Sequence, residues 1–98
     1  MGDRDGFTPL HLAAQQGNAE VAAVLRAAGA AVDVVNTHGN TPLFVAVFHS
    51  QGRGDIIEML REHGANPRKA NTSGVTPVEL ARLIANHDVQ RFFADLDW

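Results

Sequence analysis

The stretch GFTPLHLA at residues 6–13 returns as GNTPLFVA at residues 39–46 and as GVTPVELA at residues 74–81. The three copies begin 33 and then 35 residues apart. Each threonine is suited to capping a helix, because its hydroxyl accepts a hydrogen bond from the first turn, and each proline suits the first helical position. The preceding glycine permits the positive φ of a tight turn. Each copy therefore predicts a turn and then a helix, over about residues 9–16, 42–50 and 77–85.

A second, amphipathic helix is predicted to follow each of these helices, because apolar residues recur there at the spacing of one buried stripe. The stripes consist of Val21, Val24 and Leu25, then Ile56, Ile57, Met59 and Leu60, and then Val89, Phe92 and Phe93. Gly29-Ala30 returns as Gly64-Ala65, and we expect both glycines to end their helices in left-handed caps. A single helix pair cannot bury its own stripe, so we expect the units to stack around one continuous core.

Residues 8–13, Thr-Pro-Leu-His-Leu-Ala, fit the signature of the ankyrin repeat, and the chain resembles that family over nearly its whole length. The later copies depart from the pattern: Phe44 and Glu79 stand in the histidine position, and two extra residues lie within 48–55. The resemblance implies an all-α fold, an ankyrin-repeat solenoid of three helix-turn-helix units joined by β-turn or hairpin loops. It also implies one domain over residues 1–98, with repeats at approximately 3–35, 36–70 and 71–98.

The composition limits the classes of function. Apolar residues make up 45% and charged residues 19% of the chain, which is typical of a globular protein. The net charge is −3 and the one adjacent basic pair is Arg68-Lys69, so nucleic-acid binding is disfavoured. The absence of cysteine excludes disulfides, thiolate metal sites and cysteine catalysis. No apolar run reaches the length of a membrane span, and we expect a cytoplasmic monomer.

No motif in the chain predicts catalysis or a cofactor. Neither a nucleophile elbow nor a phosphate-binding glycine-rich loop is present, so we expect a protein that is not an enzyme and needs no cofactor. The histidines lack metal-ligand spacing; they are His11, His38, His49, His63 and His87. The family resemblance implies instead that His11 hydrogen-bonds between neighbouring turns. Residues 53–55, Arg-Gly-Asp, match an integrin-binding tripeptide, but capping of the second helix of the unit by Asp55 explains them better.

The resemblance implies that a partner protein binds at the turn tips and on the exposed faces of the first helices. These positions are expected to be free of any role in the scaffold: Arg4, Asp5, Phe7, Gln15, Gln16, Thr37, His38, Asn40, Phe48, His49, Thr72, Ser73 and Val75. Phe7 and Phe48 stand out, because exposed aromatics at polar positions favour an interface. Arg53 and the insertion at 50–54 are expected beside them. The alternative for Phe48 is packing beneath the inserted loop.

The sequence therefore favours a protein-binding module. The second and third repeats are similar to small bacterial ankyrin proteins, some of which act as immunity proteins that neutralise a toxin. This similarity extends the hypothesis to a toxin, or another enzyme, as the inhibited partner. The alternatives are a structural scaffold repeat, a fragment of a larger ankyrin protein, and an accessory subunit of an enzyme.

Overall fold

The helices of the protein stack in two layers. The structure, a computed structural model, describes residues 6–50, 54–84 and 90–96. It contains α1 (Pro9–Gln16), α2 (Ala19–Ala27), α3 (Pro42–Phe48), α4 (Asp55–Glu62) and α5 (Pro77–Leu83), followed by a 3-10 helix at Arg91–Phe93. α1 packs against α3 and α3 against α5, which makes an inner layer, while α2 packs against α4 in an outer layer. Across these described ranges there is no β-strand, so the predicted all-α fold is confirmed.

The repeated turns start the inner helices as the sequence predicts. The three threonine hydroxyls accept hydrogen bonds from backbone N–H groups three residues later, and the glycines of the turns have positive φ. We call the residues around Gly6, Gly39 and Gly74 the turn tips. At Gly39 an added Cβ would lie 2.8 Å from the backbone nitrogen of Thr72, so this turn has no room for a side chain. The helix starts are therefore determined by local chemistry.

Two of the predicted helix ends are too late. α3 ends at Phe48 rather than at residue 50, because the chain tightens there and the N–H of Ser50 bonds to the carbonyl of Val47. α5 ends at Leu83, and residue 85, its predicted end, lies outside the described residues. The expected left-handed caps are present after α2 and α4. There Gly29 and Gly64 have φ of 100° and 93°, and each following N–H reaches back to a carbonyl of the last turn.

The prediction that Val21 and Val24 belong to the core is wrong. Their side chains are 44% and 68% exposed, whereas Ile56, which occupies the place of Val21 one period later, is 2% exposed. Ile56 shares a small cavity with Ala14 and Gly17 of the first helix pair. The side of a helix pair that carries Ile56 therefore packs against the preceding pair. On α1 and α2 the same side carries Val21, and no helix pair among the described residues covers it.

The end of the described chain folds back over the start of α4. Phe93 is fully buried as predicted, and the half-buried Phe92 lies over Gly54, where an added Cβ would be 1.8 Å from the ring. Gly54 is the N-cap residue and Asp55 is the first helical residue, so the predicted capping by the Asp55 side chain is wrong. Gly54 is buried beneath this ring, and Asp55 is exposed at the start of α4. Val89 and Arg53 lie outside the described residues.

Arg61 ties the last described segment to α4. Its guanidinium donates to both carboxylate oxygens of Asp95, at 2.7 and 2.8 Å, and to the carbonyl of Phe92 at 2.8 Å. It also lies 5.4 Å from the centre of the Phe93 ring. The side-chain hydrogen bonds from Arg61 lower the pKa of Asp95 from 3.8 to about 2. One arginine therefore joins α4 to the segment by a salt bridge, a backbone hydrogen bond and a ring contact.

We expect this tie to weaken in acid. Because the folded pKa of Asp95 is depressed, its stabilising contribution is complete above pH 4 and is lost as the pH falls towards 2. An NMR titration of the Asp95 carboxyl carbon should show a midpoint near 2 in the wild type and a midpoint close to the ordinary value in Arg61→Gln. Arg82→Gln, which changes an exposed arginine on α5, is the control and should leave the midpoint in place. An unshifted midpoint in Arg61→Gln would contradict the assignment.

Candidate functional site

A groove of about 270 Å³ lies between the turn tip at Gly39 and the inner helix α3. The sequence predicted five of the residues that line it: Phe7, His38, Asn40, Phe48 and His49. It did not predict three others: Asn36, Phe44 and Val45. The groove thus combines the turn that precedes α1, the turn that precedes α3 and the exposed side of α3. It is apolar for most of its length, and its described lining carries no carboxylate.

Phe48 is the most exposed aromatic residue of the described chain. Its side chain is 62% exposed, and its ring meets the ring of His49 edge-on, with the ring centres 5.0 Å apart. This exposure argues against packing beneath the inserted loop. Phe7 forms another part of the lining, half-buried, with its ring centre 5.4 Å from that of His11. Two aromatic rings from different units therefore face one groove.

His11 joins the first two turns beneath the groove. The backbone N–H of Thr8 donates to Nδ1 of His11 at 3.2 Å, so the ring proton is assigned to Nε2, which donates to the carbonyl of Asn40 at 2.7 Å. The side chain is fully buried. The role in hydrogen bonding between neighbouring turns that the resemblance implied for His11 is therefore confirmed.

A family model of ankyrin repeats, built from three copies, matches residues 1–71. The chain belongs to the ankyrin-repeat family. Ankyrin repeats mediate protein–protein interactions, so the family supports a binding role in general terms. None of the curated proteins compared with the chain matches its sequence. The family match ends before α5, but the ankyrin pattern continues there, with the turn at Gly74 and a capping box between Thr76 and Glu79.

Two predicted contact residues also belong to the ankyrin scaffold. Oδ1 of Asn40 accepts a hydrogen bond from Nδ2 of Asn71 at 2.9 Å, in addition to the bond that its carbonyl accepts from His11. The backbone N–H and the hydroxyl of Thr72 both donate to the carbonyl of His38, at 3.0 and 2.9 Å. The expectation that these positions have no role in the scaffold is wrong for Asn40 and Thr72, because both tie adjacent turn tips together. It is also wrong for Phe7 and Val75, which are partly buried against the hydrophobic core.

The other predicted contact residues that the structure describes are not part of the groove lining. Gln15 and Gln16 are exposed on α1, and Thr37 is exposed at the turn tip of Gly39. The next tip carries Thr72 and Ser73, which are exposed, and Val75, which is half-buried. Arg4, Asp5 and Arg53 lie outside the described residues. At the borders of the insertion, Ser50 and Gly54 are buried, so neither is presented on the surface.

Leu83 is an exposed apolar residue that the sequence analysis missed. It follows Phe48 by 35 residues, the spacing of the later repeats, and Phe48 follows Gln15 by 33. All three side chains are exposed at the ends of the inner helices. This spacing could have predicted that Leu83 is exposed. Phe48 and Leu83 are thus two large, exposed apolar side chains at equivalent positions of successive inner helices.

Neither a metal centre nor a membrane span is found in the part of the chain that the structure describes. No three histidine, aspartate or glutamate side chains come together there as metal ligands. None of the described helices has both the length and the apolar character that crossing a membrane requires.

Proposed function

We propose that this ankyrin-repeat protein is a non-enzymatic binding module that receives a segment of a partner protein in the groove beside Phe48. The observation that carries the proposal is the exposure of Phe48 at a position where the preceding inner helix has the polar Gln15. Exposed aromatic rings next to a groove are the usual anchors of protein interfaces. Phe7, His38 and His49 would contact the same segment, and Arg4, Asp5 and Arg53 would extend the contact area.

The size of the groove favours a protein segment over a small molecule. Its volume of about 270 Å³ falls below the roughly 300–1,000 Å³ of typical small-molecule sites. A cleft of this size accepts one or two side chains, while the surrounding turn tips supply the rest of an interface. We therefore expect stoichiometric binding of a folded or extended protein, without a cofactor.

The partner class that we propose is a toxin or another enzyme that the ankyrin protein inhibits. The support is the similarity of its second and third repeats to small bacterial ankyrin proteins. Co-expression tests this class: the wild-type chain should protect a host cell against the captured partner, and a groove variant should fail to protect it. A captured protein whose activity the chain does not change would favour the structural scaffold instead.

Phe48→Ala should weaken binding of the partner by about 2 kcal/mol or more, roughly 30-fold, because a central aromatic anchor is lost. The free energy of unfolding should change little, since the side chain is largely exposed. Affinity capture with the wild type identifies candidate partners, and calorimetry with each purified candidate measures the loss.

Val24→Ala is the matched control for this experiment. Val24 is 68% exposed on α2, in the outer layer, so its truncation removes a similarly exposed apolar side chain away from the groove. The control should bind like the wild type. Equal affinity of Phe48→Ala and Val24→Ala would exclude the groove as the binding site.

A further inference from the structure

Two asparagines occupy equivalent places in consecutive turns. In the later turn, Oδ1 of Asn71 accepts the backbone N–H groups of Ser73 and Val75 at 2.9 and 3.0 Å. Its Nδ2 then donates to Oδ1 of Asn40 in the preceding turn, at 2.9 Å. Both Oδ1 and Nδ2 of Asn71 are thus hydrogen-bonded, and the side chain links one turn tip to the next.

The earlier asparagine, Asn36, lacks the second half of this arrangement. Its Oδ1 accepts the backbone N–H groups of His38 and Asn40, at 2.9 and 3.0 Å, as in the later turn. Among the described residues its Nδ2 finds no hydrogen-bond partner, although the residue is only 6% exposed. Phe7 stands 33 residues before Asn40, in the place from which an acceptor would come, and a phenyl ring carries no oxygen.

An unpaired buried amide donor opposes folding, and such groups are rare in native proteins. Here Phe7 stands at the repeat position where the next turn has the acceptor Asn40, and Asn36 and Phe7 line the same groove. The exchange of an acceptor for a ring therefore weakens the link between two turns and adds apolar surface to the groove. A bound partner can compensate for the loss by supplying the missing oxygen.

We infer that the groove recognises an apolar side chain of the partner together with an adjoining backbone carbonyl, which accepts a hydrogen bond from Nδ2 of Asn36. The inference rests on the proposed function and adds the chemistry of the recognised segment. A neutral carbonyl is favoured over a carboxylate, because a charge would lose its hydration in this apolar cleft. Nδ2 is buried in the free protein, so formation of this bond requires a local rearrangement of the groove lining.

Three small probes separate the parts of this recognition by NMR. N-acetyl-L-phenylalaninamide carries the side chain and carbonyls, N-acetylglycinamide carries the carbonyls alone, and toluene carries the ring alone. With affinities on the order of millimolar, the first probe should shift both the Nδ2 protons of Asn36 and the backbone signals of Phe48 and His49. Toluene should shift only the Phe48 and His49 signals, and the glycine probe should shift neither set.

Asn36→Asp is the decisive variant, because its carboxylate still accepts the N–H groups of His38 and Asn40 but has no donor. It should bind the phenylalanine probe roughly 3- to 10-fold more weakly, the effect of one lost hydrogen bond. Asn71→Asp, the matched change in the next turn, should bind it like the wild type. Phe7→Asn should raise the melting temperature, because its amide oxygen would pair with Asn36, and it should abolish the shift of the Nδ2 protons.

The possible failures are distinguishable. Shifts at Phe48 and His49 without a shift at Nδ2 of Asn36, or equal affinity of the two aspartate variants, would overturn the inferred hydrogen bond. Absence of every shift with the phenylalanine probe would overturn the inferred recognition as a whole. In each case the proposed function is judged separately, by the comparison of Phe48→Ala with Val24→Ala.

Discussion

Leu60→Ala is expected to lower the free energy of unfolding by about 2–5 kcal/mol, the range for truncation of a fully buried leucine. Leu60 lies on α4 with no exposed side-chain surface, and α4 packs against both α2 and α3. The truncation removes apolar burial from both layers and leaves a cavity that close packing fills only in part. Urea unfolding followed by circular dichroism measures the change.

Two other leucines calibrate this result. Leu25 holds the same place on α2 and is half-buried, so Leu25→Ala should cost less than Leu60→Ala. Leu83 is exposed on α5, and Leu83→Ala should stay within about 0.5 kcal/mol of the wild type. The expected order of losses is therefore Leu60, Leu25 and Leu83. Similar losses of unfolding free energy in Leu60→Ala and Leu83→Ala would contradict the assignment of Leu60 to the core and of Leu83 to the surface.

His11→Ala is expected to lower the free energy of unfolding by about 2–4 kcal/mol. The change removes the bond from His11 to the carbonyl of Asn40, which keeps only the N–H of Asn36, and it leaves the N–H of Thr8 without its acceptor. An unpaired donor away from solvent costs about 1–3 kcal/mol. It also removes a buried ring. Because the bond to Asn40 crosses between units, the loss should appear in the stability of the whole protein rather than in a single turn. Thermal and urea unfolding of the variant provide the measurement.

His11→Phe separates the hydrogen bonds from the ring volume. Phe44 occupies the equivalent place in the second unit and is buried there, so the scaffold accommodates a phenyl ring at this position. We expect His11→Phe to lie between the wild type and His11→Ala, with a loss of about 1–3 kcal/mol from the unpaired N–H of Thr8 and the lost bond to Asn40. A His11→Phe variant as stable as the wild type would show that the link between turns contributes nothing to stability.

The sequence predicted those features of the fold that depend on neighbouring residues. The helix starts at Thr8, Thr41 and Thr76 need only a hydroxyl, a proline and a turn, which lie within a few residues of one another. The exposure of Val21 and Val24 was not predictable in this way. Helical spacing places both on an apolar stripe, but only the stacked neighbour decides whether the stripe is covered.

The candidate site shows the same division. Comparison of the repeats singled out Phe48, because Gln15 stands in its place one period earlier, and the same comparison would have found Leu83. The unpaired amide of Asn36 was not predictable, since it depends on an acceptor that is missing from a turn 29 residues away. Only the intact bond between Asn71 and Asn40 shows that an acceptor belongs there.

The uncovered side of α1 and α2 has a consequence for the dynamics of the protein. Leu12 and Val21 are partly exposed, so within the described residues the first helix pair gains stacking energy from one neighbour only. A helix pair that stacks on one neighbour opens more readily than a pair that stacks on two. Phe7 precedes α1 of that pair, while Phe48 lies at the end of α3 in the next pair, so opening of the first pair would separate the two rings. We therefore expect occupancy of the groove to be thermodynamically linked to closure of the first helix pair, so that a bound partner slows hydrogen exchange in α1 and α2.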